Sequence, residues 1–247
     1  GFADGAPTKA GPALGDQLSG TYMATAIMLA LIAKKKTGKG QKIDIAILDC
    51  LFSILEAAPI TYCMTGSVPE RVGNSYPSIS PYDTFKAKDG YVAIGISTDN
   101  QWMKFCDALG MDDLKADERY MTNESRGEHY EDGLKQAIEK VTGTMSKFEI
   151  EEKLRNARLA CGAVYTVSEA MGTEQMKVRN MLTKVYDEGI GEEIRIPGTV
   201  IKMSDTPGGF TEGAPSLGKH TRHYLTQLGY SEEEIQALAD KKIIEMV

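Results

Sequence analysis

Residues 11–49, GPALGDQLSGTYMATAIMLALIAKKKTGKGQKIDIAILD, constrain this chain more than any other stretch. Apolar residues recur densely from Met23 to Leu31, alanine and methionine favour helix, and nothing interrupts the run until Gly38. A helix over residues 17–36 follows, roughly 30 Å long. Asp16 or Ser19 can cap its start. Lys34, Lys35 and Lys36 fall in its last turn, where they offset the negative end of the helix dipole. The apolar part is well short of the roughly 20 residues that cross a bilayer, so the expectation is a helix buried in a folded domain, with no membrane partner.

Composition narrows the partners. With 247 residues and 42% hydrophobic content the chain can bury a sizeable core, as one large domain or two small ones. A formal net charge of -7, and no Lys/Arg stripe interleaved with aromatics, argue against nucleic acid. A local basic pocket for an anionic ligand remains compatible with that charge. The four cysteines, Cys50, Cys63, Cys106 and Cys161, are widely spaced and form neither a CxxC pair nor a Cys/His cluster. Buried reduced thiols and no metal are therefore expected. The opening GFADGAPTKAG lacks the basic and apolar regions of a secretory signal, which makes the cytoplasm the expected compartment. It leads into the first helix with no element before it.

Beyond that helix, Ile43, Ile45 and Ile47 alternate with polar or small residues and predict a strand, continued by an apolar helix through Leu51, Phe52, Leu55 and Ala58 to Gly66. SVPERVGNSYPSISPYD, with three prolines, reads as loop. YDTFKAKDGYVAIGIS predicts a hairpin turning at Asp89-Gly90. Helices follow in NQWMKFCDALG, in a long GEHYEDGLKQAIEKVT, and in SKFEIEEKLRNARL, where Ser146 and Glu149 have capping-box spacing. ACGAVYTVSEAM predicts a short strand and a helix capped by Ser168. EEIRIPGTVIKM predicts a strand, and after a Pro/Gly loop the chain closes on two helices. Mixed helices and short strands point to an α/β or α+β fold. Met23, Met28, Trp102 and Phe105 are expected in the core.

Candidates for chemistry are few. His129 lies at a polar helix start and is expected in solvent; His220 and His223 have i, i+3 spacing but no carboxylate or cysteine beside them. No G-x-S-x-G elbow is present, and TGKGQ is neither GxGxxG nor a P-loop. Asp16 remains. It reads as an ordinary N-cap, or as a carboxylate that helix N–H groups keep ionised and that Gly15 and Gly20 leave open to a substrate, hence a possible nucleophile. Residue chemistry alone leaves both open.

Here a resemblance enters. Gly15-Asp16, the helix to Lys36, Thr37-Gly38-Lys39-Gly40-Gln41, Ile43-Asp44-Ile45-Ala46 and Asp49 resemble the central signature of the class III CoA-transferases, the formyl-CoA, carnitine-CoA and succinyl-CoA types related to α-methylacyl-CoA racemases. GNSYPSISPYDTFKAKDGYVAIGISTDNQWMKFCDALG is similar to that family's small-domain entry, and GAPSLGKHTRHYLTQLGYSEEEIQAL to its C-terminal close. The resemblance implies part of an α/β class III CoA-transferase fold. Residues 1–75 would be a large-domain portion carrying the aspartate, 76–185 a smaller α+β domain, and 186–247 a return to the large domain. It also implies an interlocked homodimer, or a second chain supplying a Rossmann-like N-terminal half not seen here.

The implied activity moves coenzyme A between an acyl-CoA and a small carboxylic acid, with the CoA thioester as substrate and no prosthetic group. Asp16 would be catalytic, through an aspartyl mixed anhydride and an aspartyl-CoA thioester; Gly15, Gln17, Tyr82 and Asp83 would bind substrate. Two departures matter. Residues 74–81, NSYPSISP, lack the glycine run that covers the aspartate in formyl-type transferases, and Gln17-Leu18-Ser19 stand where racemases are glycine-rich. Transferase is therefore favoured over racemase, with an inert fragment or binding subunit as the third reading.

Overall fold

The apolar run is one helix, α1 (Leu14–Thr37), in a computed structural model that describes residues 1–210 and 212–246. The helix starts earlier than the spacing suggests, with Ala13 at the N-cap and no side-chain cap bond. Asp16 therefore lies inside the first turn, and Ser19 bonds back to the Gly15 carbonyl at 2.7 Å, so neither is the cap expected from sequence. At the other end Gly38 takes a left-handed conformation (φ 73°) and donates to Lys34, closing the helix beside its three lysines.

No residue of α1 is buried, and Met28 and Leu29 are 59% and 62% exposed. The expectations of a buried helix, and of Met23 and Met28 in a core, do not hold within this chain. Its partner is the short α2 (Ile47–Phe52), and Gly15 marks their closest approach: a Cβ there would lie 2.9 Å from Ile47 Cγ2. Two helices can cover only one side of each other, which leaves the remaining apolar surface of α1 open.

Residues 43–46 form neither helix nor strand, and Ile47 already begins α2. Alternation becomes a strand only where a neighbour completes the ladder, and no strand lies beside this segment among the described residues. The apolar helix expected to follow is split into α2 and α3 (Ala58–Thr65). Pro59 sits in the first turn of α3, where its missing N–H costs nothing, whereas one continuous helix would bury that ring in its interior.

Backbone contacts divide the chain into two compact units, Gly1–Val164 and Tyr165–Val247. In the first, β1 (Tyr82–Ala87) and β2 (Gly90–Gly95) form the expected hairpin, but Ala87 pairs with Gly90, so Lys88-Asp89 makes the turn. β3 (Ala160–Ala163) adds antiparallel to β2, giving the order β1-β2-β3. Alternation along the strands turns Asp83, Phe85 and Ala87 of β1, and Val92 and Ile94 of β2, toward the core. Against that face pack α4 (Asp99–Leu109), α7 (Lys135–Thr142) and α8 (Lys147–Asn156), with α5 (Asp112–Ala116) and α6 (Asn123–Glu128) beside them. Trp102, Phe105, Leu134, Ile138, Ile150 and Leu154 are fully buried, each worth up to about 1.5–3 kcal/mol of transfer free energy.

The long helix expected over residues 127–142 is interrupted, because Gly133 adopts φ 144°, a conformation side-chain-bearing residues avoid. Ser146 caps α8 as its spacing suggested, accepting from the Glu149 N–H. In the second unit α9 (Val167–Gly172) is capped by Thr166, not Ser168, because Thr166 and Glu169 complete a reciprocal capping box. α10 (Glu174–Val178) precedes a hairpin of β4 (Leu182–Asp187), which the sequence reading missed, and β5 (Glu192–Pro197). α11 (Thr221–Gln227) and α12 (Glu232–Asp240) close the chain.

All four cysteines are free; Cys50 and Cys106 are buried, Cys161 is half-buried and Cys63 is exposed, against the expectation of burial. Burial, and then the charge of Asp107, push the Cys106 thiol from 9.0 up to about 12. A raised folded value means that unfolding releases this proton above pH 9. The stability is therefore complete below pH 9 and falls as pH rises toward 12. Thermal melts at pH 8 and 10.5 should show an alkaline loss that Cys106→Ala reduces; an equal loss in both proteins would contradict the assignment.

Candidate functional site

Asp16 stands exposed in the first turn of a 24-residue helix, where the positive end of the dipole favours its charge. The Gln17 N–H is used by Ala13, at 3.0 Å, whereas the N–H groups of Gly15 and Asp16 donate to no acceptor among the described residues. The two glycines beside Asp16 differ. The space at Gly15 is taken by Ile47, while nothing lies within 4 Å of a Cβ placed on Gly20. Open approach to the carboxylate is thus on the Gly20 side, and Gly15 serves helix packing.

Tyr82 and Asp83 open β1. The Asp83 carboxylate is buried and occupied: Oδ2 accepts from Tyr130 Oη at 3.0 Å and Lys135 Nζ at 2.5 Å, and Oδ1 from the Thr84 N–H at 2.7 Å. It braces β1 to Tyr130 and to Lys135 at the start of α7. Burial, and then the Asp83 charge, raise Tyr130 well above the ordinary phenol range, which keeps it a donor to that carboxylate. The Tyr82 ring is accessible, lies 5.5 Å from the ring of Tyr76, and lines a cavity of about 800 Å³. Tyr76, Ser78, Ile79, Ser80 and Tyr130 also line it.

Asp16, Gly15 and Gln17 are not in that lining, and among the described residues no hydrogen bond or ion pair joins them to Tyr82 or Asp83. Two separate groups result: a carboxylate at a helix start, and a cavity at the sheet edge.

Sequence reading missed the residues that shape this cavity. Asn123 Oδ1 accepts from the Ser80 N–H and its Nδ2 donates to the Ser78 carbonyl, both at 3.0 Å. Arg126 is fully buried: Nε donates to the Ser80 carbonyl at 2.8 Å, Nη1 to the Tyr120 carbonyl at 2.9 Å and Nη2 to Asp99 at 2.9 Å. Its guanidinium lies 5.3 Å from the Trp102 ring. Only the helix start at Thr122 is visible locally; the pairing with Ser80 spans 43 residues and has no sequence signature.

His129 is half-buried, with Nδ1 2.9 Å from the Ser125 carbonyl, and so is not the free imidazole expected. His220 and His223 pack edgewise on Tyr224. Among the described residues no group of three His, Cys, Asp or Glu side chains converges as a metal site would require. No helix among the described residues is long and apolar enough to cross a membrane.

The chain is similar to proteins that handle CoA thioesters. It is 30% identical to a succinyl-CoA–D-citramalate CoA-transferase of Chloroflexus aurantiacus over 99% of this chain and 61% of that protein. It is 33% identical to a succinate–glutarate CoA-transferase of Agrobacterium fabrum over 92% of this chain and 56% of that one. A crystal structure of a CAIB/BAIF family protein from Brucella suis matches 92% of this chain and 58% of its own, at a TM-score of 0.77 and 32% identity. The chain thus spans less than two thirds of the length of these relatives. The sequence profile of CoA-transferase family III matches residues 1–221, which takes in α1 with Asp16 and the whole β1-β2-β3 unit. On that match this chain belongs to CoA-transferase family III.

Proposed function

We propose that this chain carries the nucleophile of a CoA-transferase, and that the nucleophile is Asp16. The observation that carries the reading is an exposed carboxylate in the first turn of a long helix, with two uncommitted N–H groups and an open glycine side around it. An Asp16 oxygen attacks the thioester carbonyl of an acyl-CoA; the C–S bond breaks and the CoA thiolate leaves, giving a mixed anhydride. The thiolate then attacks the aspartyl carbonyl and expels the first carboxylate, leaving an aspartyl-CoA thioester.

The acceptor carboxylate displaces the thiolate to form a second anhydride. Thiolate attack on the acceptor's carbonyl releases the new acyl-CoA and restores Asp16. Thioester and anhydride are similarly activated, so little free energy is lost at any step, and no metal or redox partner is required for the balance. The N–H groups of Gly15 and Asp16 are the donors we assign to the tetrahedral oxyanions.

In this reading Gly15 and Gln17 border the thioester, Tyr82 contacts the acyl or acceptor group in the 800 Å³ cavity, and Asp83, the next residue, anchors the start of β1 to Tyr130 and Lys135. The partners are an acyl-CoA and a small carboxylic acid. Residues 1–75 and 186–247 would belong to a large domain and 76–185 to a small one. Assembly as an interlocked homodimer, or with a second chain bearing an N-terminal half, would bring the two groups into one site. The soluble CoA pool of the cytoplasm is the compartment such an enzyme serves.

The test is succinyl-CoA, and separately a single enantiomer of a 2-methylacyl-CoA, each with and without a panel of carboxylic acids in deuterated water. A new acyl-CoA should form only when an acceptor acid is present, with no deuterium at the α-carbon of either thioester. Acceptor-independent deuterium uptake at that carbon would replace the transferase with a racemase.

A further inference from the structure

We propose that Asn123 is a positioning residue that fixes one wall of the cavity, and through it the length of carboxylic acid the protein accepts. The inference rests on the reading that the protein handles carboxylic acids. The wall is the turn from Ser75 to Ser80, whose residues line the cavity one after another. Among the described residues no ladder holds it: its backbone N–H groups bond at Ser75 to the Val72 carbonyl at 3.3 Å, at Ile79 to the Tyr76 carbonyl at 3.3 Å and at Tyr76 to the Tyr82 carbonyl at 3.1 Å. Irregular chain of this kind is the softest part of a fold.

Asn123 supplies what a neighbouring strand would. Its planar amide bonds the Ser78 carbonyl and the Ser80 N–H together, groups two residues apart in the turn. Only an amide side chain offers donor and acceptor in one rigid group; aspartate keeps the acceptor alone, and alanine neither. The helix carrying Asn123 is itself fixed, because fully buried Arg126, one turn on, donates to the Ser80 carbonyl and to Asp99. Between these anchors Ile79 and Tyr76 present an apolar surface at a fixed distance from Tyr82. A rigid apolar wall separates ligands differing by one methylene by about tenfold or more, and a mobile one does not.

The experiment measures binding of succinate, glutarate and adipate to the full chain by calorimetry, without CoA, for wild type, Asn123→Ala and Asn123→Asp, with a melting temperature for each. Wild type should prefer one length by about tenfold. Asn123→Ala should bring the three acids within about twofold of one another, and Asn123→Asp, which retains the Ser80 bond, should lie between. A merely structural role would weaken all three acids equally; an unchanged ratio overturns the proposal, as does a wild type that shows no length preference or binds none of the acids. If Asn123→Ala does not fold, the ratio in Asn123→Asp decides alone. Because no CoA is used, acids that bind with the expected ratio while Asp16 forms no adduct would overturn the transfer chemistry and leave this proposal standing.

Discussion

Asp16→Ala will abolish CoA transfer, with a loss on the order of 10⁴-fold or more in kcat, while the protein still folds. The size follows from the proposed role: if Asp16 is the nucleophile, no anhydride forms without its carboxylate, and binding of both substrates cannot replace a covalent step. Survival of the fold follows from the geometry. The Asp16 side chain is exposed, has no hydrogen-bond partner among the described residues and is not the N-cap, so its removal forfeits only the dipole interaction of about 0.3–1 kcal/mol. Circular dichroism and a melting curve alongside the turnover assay separate the two effects. Turnover within tenfold of wild type would remove Asp16 from the mechanism.

Arg126→Met will have the largest effect on stability. The guanidinium is fully buried, donates to two carbonyls and to Asp99, and lies against Trp102. Methionine fills similar volume but leaves the Ser80 and Tyr120 carbonyls without donors in a dry environment, at roughly 1–3 kcal/mol each. Asp99 is more than half exposed and regains water, so its half of the ion pair adds little. The two together come to about 2–6 kcal/mol, a large share of the marginal stability of a domain. Urea unfolding should show the midpoint falling at an unchanged slope. Arg126→Lys should recover only part of the loss, because one ammonium cannot reach three acceptors in the plane of the fork. A loss below about 1 kcal/mol in the methionine variant would contradict the geometry.

What the sequence revealed was local. α1 and α4 follow from their apolar residues, α8 from its Ser146 cap, and the β1-β2 hairpin from alternation around a turn, because each is stabilised by residues near one another in the chain. Features that depend on distant partners escaped. Ile43, Ile45 and Ile47 alternate like a strand, yet among the described residues no strand pairs with them and Ile47 begins α2. α1 is apolar like a core helix, yet none of it is buried within this chain. The breaks at Pro59 and Gly133 were written in single residues whose weight against the surrounding helical pattern was underestimated.

The site divides the same way. Asp16 was singled out from glycines and a helix start, and the family resemblance gave it a role that residue chemistry left undecided. The structure then moved it off the cap, and assigned Gly15 to packing against Ile47. Asp83 had the chemistry of a substrate ligand, but its oxygens are engaged by Lys135 and Tyr130, some 50 positions away. Asn123 and Arg126 have ordinary sequence surroundings; Asn123 is distinguished by its bonds to Ser78 and Ser80, and Arg126 by those to Ser80, Tyr120 and Asp99.

The central claim is a covalent bond to one carboxylate, and its direct measurement is peptide mass spectrometry of the protein quenched during turnover with an acyl-CoA, with hydroxylamine to trap acyl intermediates. The account predicts a CoA thioester or hydroxamate on the peptide containing Asp16, absent from Asp16→Ala. Turnover accompanied by an adduct on any other residue, or by none, would contradict it.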